Sequence, residues 1–157
     1  MGLENKTYYS YETEFGNMII VSDGNVINAV YIENYKVTEA KKLAGKLTDK
    51  AAKQLEEYFA GKRRHFDLPL QPNGTAFQQS AWNALISIPY GETRSYKQVA
   101  QMIGNPDASR AVGMANNRNP IMIIIPCHRV IGADGALAGY GGGLTMKQRL
   151  LELESRK

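Results

Sequence analysis

Residues 7–13 are rich in Tyr and Thr, residues 18–21 form a short aliphatic run, and Asp23-Gly24 leads into a second apolar stretch over 26–32. This pattern predicts three short strands joined by hairpin turns, a small antiparallel sheet. Between residues 38 and 59 the apolar positions Leu43, Leu47, Leu55, Tyr58 and Phe59 recur at helical spacing, Thr48-Asp49 can cap a second segment, and Gly61 stands at the stop position. One or two helices are therefore expected to cover the sheet. Residues 66–70 read as a further extended piece. Pro69, Pro72, Asn73 and Gly74 then form the one concentrated breaker cluster in the middle of the chain, which places a domain boundary there: an α/β domain over 1–72 and a second domain over 73–157.

The period changes after the boundary. Phe77, Ala81, Trp82, Leu85 and Ile88 fall on one helical face that ends at Pro89-Tyr90-Gly91, and Ser95 with Gln98 is a capping box for a helix through Val99, Ala100 and Ile103. Gly104-Asn105-Pro106 stops that helix. Asp107 or Ser109 can start another with Ala108, Val112 and Ala115 facing inward, which makes a helix, a tight turn and a helix, the arrangement of many DNA readers. An aliphatic run over 121–125 leads into Pro126-Cys127-His128-Arg129, a glycine-rich stretch follows over 132–143, and Thr145 with Gln148 is expected to open a closing helix carrying Leu150, Leu151 and Leu153.

Composition narrows the class. Of 157 residues, 43% are hydrophobic and 22% charged, the balance of a globular chain, which excludes disordered and fibrous architectures. A single cysteine forms no intrachain disulfide, and with two histidines it supplies too few ligands for a Cys/His zinc site, so a metal-free protein is expected. The longest aliphatic run is far short of the roughly 20 residues that cross a bilayer, and the start has no apolar signal region, so the expectation is a soluble protein of the reducing cytoplasm. Charge is uneven. Residues 1–72 carry 8 Lys and 2 Arg against 3 Asp and 7 Glu, whereas 73–157 hold the whole +4 excess, which suits a polyanionic partner.

Cys127 is the one thiol, set between Pro126 and His128 with Arg129 next. An imidazole and a cation in the same turn are expected to lower its pKa. In an extended segment neighbouring side chains point to opposite faces, so the thiol proton would reach His128 through a bridging water. The acidic candidates to orient the imidazole are Asp134, Glu152 and Glu154, and spacing does not choose among them. A DNA-binding module without transfer chemistry, or a thiol acyltransferase or hydrolase using Cys127 and His128, are the competing classes. The first offers no use for Cys127. The second needs an oxyanion hole and offers no use for Arg110 on a helix face of small residues.

The stretch from Ile125 to Ile131 with its Pro-Cys-His-Arg core, preceded by Ser109-Arg110-Ala111-Val112-Gly113 and Asn119-Pro120 and followed by Gly139-Tyr140 and Gly142-Gly143-Leu144, resembles the O6-alkylguanine-DNA alkyltransferases. Gly74-Thr75-Ala76-Phe77-Gln78, Trp82, Pro89-Tyr90-Gly91 and Ser95-Tyr96 extend the likeness over 74–154, while residues 1–73 match loosely, mainly at 58–61 and 66–70. The resemblance implies an α+β fold: a small ribonuclease-H-like α/β domain, then a mostly helical, winged-helix-like domain with a helix-turn-helix. It implies that an O6-alkylated guanine, or O4-alkylated thymine, is flipped out of duplex DNA and that Cys127 takes the alkyl group irreversibly, once per molecule. His128 would draw the thiol proton through water, Glu154 would orient the imidazole, and Asn119 would tie the reader to the active-site segment.

The same resemblance makes Arg110 a finger that fills the vacated stack, and Tyr96 the ring that crowds the neighbouring phosphate. Ala111 and Gly113 would keep the reader helix slim, with Arg110, Gly113 and Asn117 on its outward face. A helix about 10–12 Å across meets a minor groove only about 6 Å wide, so small residues are needed there. Tyr140 and Gly141 would wall the base pocket, and the carbonyls of Cys127 and Val130 would accept from guanine's amino group. The expected partner is double-stranded DNA met through the minor groove by a monomer, with no cofactor, no metal and no membrane.

Overall fold

A computed structural model describes residues 5–32, 40–133, 135 and 143–156. They divide into two units, residues 1–73 with Pro120–Met122, and residues 74–119 with Ile123–Lys157.

The first unit is built on a four-stranded sheet in the order β3-β2-β1-β4, from β1 (Thr7–Thr13), β2 (Gly16–Ser22), β3 (Ile27–Ile32) and β4 (Lys41–Lys42). The first three run antiparallel, as the short Tyr/Thr-rich and apolar runs and their turns predict, and β4 adds in parallel to β1. Helix α1 (Lys46–Phe59) packs on this sheet. Tyr11, paired with Met18, donates its hydroxyl to Asp49 at 2.6 Å and also hydrogen-bonds the Thr48 hydroxyl at 2.9 Å, so this face of the sheet meets the start of α1. Ile19, Val21 and Ala29 are buried on the other face, against Tyr8 and Tyr31. Burial on both faces is why β2 reads as an unbroken aliphatic run.

Among the described residues one helix forms, within the expected one or two, and two details need correction: Leu43 lies exposed beside β4, outside that helix, and Thr48 takes the Gly45 N–H within the first turn of α1 instead of capping a separate segment. The outer edge of β3 is covered by chain from two places: Ile27 pairs with Leu70, and Val30 bonds Pro120 and Met122. The extended piece at 66–70 thus blunts a sheet edge, as native sheets require.

The second unit contains α2 (Ala76–Ile86), β5 (Arg94–Ser95), α3 (Tyr96–Met102), α4 (Ser109–Asn117), a 3-10 turn (Cys127–Arg129), β6 (Val130–Ile131) and α5 (Leu144–Ser155). β5 and β6 pair in parallel. The α+β class holds, and α3, a turn over 103–108 and α4 form the helix-turn-helix. Reciprocal hydrogen bonds between Ser95 and Gln98 open α3 as expected. The starts of the next helices differ from expectation. Neither Asp107 nor Ser109 caps α4, which begins after Ala108, and α5 begins after Gly143 at φ 92°, with Thr145 already inside it. Both caps lack a side-chain hydrogen bond, so no Ser/Thr/Asp pattern marks them.

Trp82 is the anchor of this unit, buried on α2 with its Nε1–H donated to the Ala115 carbonyl of α4 at 2.9 Å. A Cβ on Gly74 would lie 2.5 Å from the Trp82 ring. The ring is held by its hydrogen bond and cannot swing away, so Gly74→Ala is expected to destabilise by about 1–3 kcal/mol. Thermal melting checks this, and an unchanged Tm would mean that the ring yields.

Candidate active site

Three buried isoleucines, Ile123–Ile125, lead to the thiol. Ile123 holds φ 71°, a left-handed conformation that a β-branched residue adopts only where its surroundings impose it. Asn119 donates Nδ2–H to the Ile125 carbonyl at 2.8 Å and hydrogen-bonds the thiol of Cys127. It therefore ties the end of the α4 segment to the stretch of chain that carries Cys127. Residues 127–129 are not extended but form the 3-10 turn, in which successive side chains diverge by about 120°. Cys127 is 2% exposed and its carbonyl accepts from Asn116 Nδ2 at 3.2 Å.

His128 and Arg129 turn to Glu154 on α5. His128 Nε2 lies 2.8 Å from Oε2, Arg129 donates Nε–H to Oε1 at 2.8 Å and Nη2–H to Oε2 at 2.9 Å, and its Nη1–H bonds the Ile88 carbonyl at 2.7 Å. Of the three acidic candidates, Glu154 is the one on the imidazole; Glu152 is exposed and accepts from Gln148, and Asp134 lies outside the described residues. Burial pushes the Glu154 carboxyl upward, but the hydrogen bonds from His128 and Arg129 prevail and hold it well below the usual carboxylate range. Burial lowers His128 despite Glu154, which keeps the imidazole neutral at neutral pH. An ionised carboxylate on Nε2 selects the tautomer with the proton there, leaving Nδ1 as the basic nitrogen.

The thiol departs from expectation. Burial pushes Cys127 up to about 11, and Asn119 and Lys147 offset this only in part. Arg129, expected to supply a cation to the sulfur, is fully engaged by Glu154 and Ile88. The cation near the sulfur is Lys147 of α5, wholly buried with Nζ donated to the Val130 carbonyl at 2.6 Å.

On α4, Val112, Ala115 and Asn116 are buried, Arg110, Met114 and Asn117 are exposed, and Gly113 is half-buried. Ala111 lines an open pocket of about 330 Å³ with Thr75, Phe77, Met114 and Arg118. Tyr96, at the start of α3, packs its ring by Gly113, where an added Cβ would sit 3.8 Å away. Burial raises the Tyr96 hydroxyl, and the nearby Cys127 adds to the rise, so this tyrosine stands near the sulfur. Tyr140 and Gly141 lie outside the described residues.

Residues 76–156 match the family model of the 6-O-methylguanine DNA methyltransferase DNA binding domain, and residues 6–72 match that of its ribonuclease-like domain. The chain belongs to the 6-O-methylguanine DNA methyltransferase family. It is 46% identical over 153 residues to the methylated-DNA–protein-cysteine methyltransferase of Mycobacterium leprae, covering 94% of this chain and 92% of that one. The corresponding protein of Methanosarcina acetivorans is 65% identical over 104 residues, 66% of this chain and 67% of its own. Among solved structures, the Mycobacterium tuberculosis OGT in complex with DNA superposes with a TM-score of 0.90 at 46% identity, covering 95% of this chain and 92% of that chain.

Three residues beside the site of this methyltransferase escaped the sequence reading. Lys147 and Glu154 are seven apart on the buried face of α5, with Leu150 between them, and two charged residues in an apolar helical stripe are the signal that would have found the lysine. Gly91, at φ 82°, donates its N–H toward Glu154 Oε1 at 3.4 Å, and a Cβ there would lie 3.2 Å from the Glu154 carbonyl oxygen. Asn116 carries no local pattern that marks it.

Proposed function

We propose that this protein repairs O6-alkylguanine in double-stranded DNA by moving the alkyl group to Sγ of Cys127, once per molecule. The observation that carries the reading is the buried relay of Cys127, His128 and Glu154 in a chain of this family. With its pKa near 11 the resting thiol is protonated, so the reaction needs a base at the moment of attack. Neutral His128 supplies it through Nδ1, reached by a bridging water, while Glu154 stabilises the imidazolium that forms and Lys147 and Asn119 favour the thiolate. The sulfur attacks the alkyl carbon, the carbon–O6 bond breaks, and guanine leaves with the bonding pair and takes up a proton. A thioether is not hydrolysed, so Cys127 stays alkylated. Incubation with O6-methylguanine DNA followed by intact-protein and peptide mass spectrometry is expected to show one methyl on Cys127. Turnover without lasting alkylation would favour a hydrolase, and binding without any modification would favour a sensor.

Residues 73–157 would hold both DNA contact and transfer, approaching the minor groove with the outward face of α4 as a monomer. An alanine would fit at Gly113 without disturbing the protein, since its Cβ would make only an ordinary contact with Tyr96. Small residues there therefore suit an approach from outside. No described helix is long and apolar enough to cross a membrane; the reading places the protein in the cytoplasm, where its thiol stays reduced. Tyr140, Gly141 and the Val130 carbonyl would bound the base, and O4-alkylthymine is a second candidate substrate.

Arg110 is the proposed finger. Arg110→Ala is expected to slow repair of a duplex lesion about tenfold to a hundredfold, because filling the vacated stack offsets a few kcal/mol of unstacking and each 1.4 kcal/mol or so is about tenfold. Reaction with free O6-benzylguanine has no stack to leave and is expected to be unchanged. Single-turnover rates on both substrates decide the matter, and an equal loss would make Arg110 a support of the fold.

A further inference from the structure

Asn116 is unusual for a side chain on a DNA-reading helix: it is 3% exposed, its Nδ2–H is committed to the carbonyl of the nucleophile Cys127, and its Oδ1 is buried with no hydrogen-bond partner. Buried acceptors are nearly always satisfied, and each exception calls for an explanation such as a ligand that completes it. The Nδ2 bond fixes which way the amide points, so the lone acceptor is held rigidly next to the backbone of Cys127. Gly113, about one helical turn earlier, is where the Tyr96 ring packs, and Tyr96 in turn stands near the Cys127 sulfur. The orphaned oxygen thus belongs to the group of residues around the nucleophile.

We propose that Asn116 is a specificity residue, whose Oδ1 accepts a hydrogen bond from the 2-amino group of the flipped guanine. This rests on the proposed entry of O6-alkylguanine beside Cys127. On that base the alkylated oxygen and the amino group lie on one edge, carried by the two ring carbons that flank N1. When the alkyl carbon meets Sγ, the amino group arrives beside the backbone of the same residue, where Asn116 is bonded. A buried acceptor left unpaired rejects a substrate that lacks the donor more strongly than an apolar wall would. Bases without this amino group, such as O6-methylhypoxanthine and O4-methylthymine, are therefore disfavoured.

The test is the ratio of single-turnover rates on otherwise identical duplexes carrying O6-methylguanine or O6-methylhypoxanthine. The wild type is expected to prefer guanine by about tenfold or more, and Asn116→Leu and Asn116→Ala are each expected to cut that preference about tenfold. A ratio is insensitive to a reduced active fraction, and two variants of different size guard against one that fails to fold. A wild type with no preference, or variants that slow both substrates equally and keep the ratio, would overturn the proposal and leave Asn116 as a brace for the Cys127 backbone. Absence of methyl transfer from either duplex in the wild type would instead overturn the proposed function.

Discussion

Changing Cys127 to serine is expected to leave no measurable methyl transfer from O6-methylguanine DNA while DNA affinity stays within about twofold of wild type. A serine hydroxyl is far less acidic than even this buried thiol, so His128 cannot deliver an equivalent nucleophile at neutral pH. The exchange of one atom at a buried position alters shape very little. Mass spectrometry of the protein after prolonged incubation, with a binding titration on the same duplex, makes the comparison. Methyl transfer above trace level in the variant would remove Cys127 from its role, and a large loss of binding would show that the sulfur also shapes the DNA-facing surface.

Glu154→Ala carries the largest expected loss of stability. The carboxylate is shared by Arg129 and His128, both buried, so its removal strands a guanidinium in the interior and costs about 3–5 kcal/mol. Transfer is also expected to fall about a hundredfold in the molecules that stay folded, because the imidazole loses the partner that fixes its tautomer. Glu154→Gln keeps an acceptor for His128 and is expected to recover part of the rate without the charge. The pH response has a defined sign. Folded His128 titrates below its ordinary 6.5 and folded Glu154 below its ordinary 4.5, so in acid the unfolded chain binds more protons than the native one. Stability is therefore expected to fall as pH drops below about 6.5 and to fall further below about 4.5, and in Glu154→Gln the second decline should shrink. Melting curves across this range test both steps; a wild type whose Tm is flat down to pH 4 would contradict the buried relay.

Local signals were the readable ones. The Ser95–Gln98 capping box, the stripe of Ala81, Trp82 and Leu85, and the three antiparallel strands of the first unit are all set by residues within a few positions of one another, and they form as expected. What was hidden depends on distant chain. The pairing of Val30 with Pro120 and Met122 joins residues ninety positions apart, and no pattern near either one announces it. At the site, proximity in sequence misled: Arg129 follows Cys127 by two residues, yet the 3-10 turn sends its side chain to Glu154, and the cation by the sulfur comes from Lys147. The thiol's upward shift was equally out of reach, since it reflects burial by the whole unit rather than the identity of its neighbours.

The dependence of Cys127 on α5 has a consequence for how the protein comes into being. Lys147 and Glu154 are the ammonium near the sulfur and the carboxylate on the imidazole, and both leave the ribosome after Cys127 does. A nascent chain that has just exposed Cys127 therefore carries an ordinary thiol beside an unoriented histidine. Because domains form as units once their last element is available, the relay is completed only when α5 docks. Biosynthesis thus sets an order of events in which the proposed capacity for irreversible alkylation arrives only with α5, after Cys127 and the helices that precede it have been made.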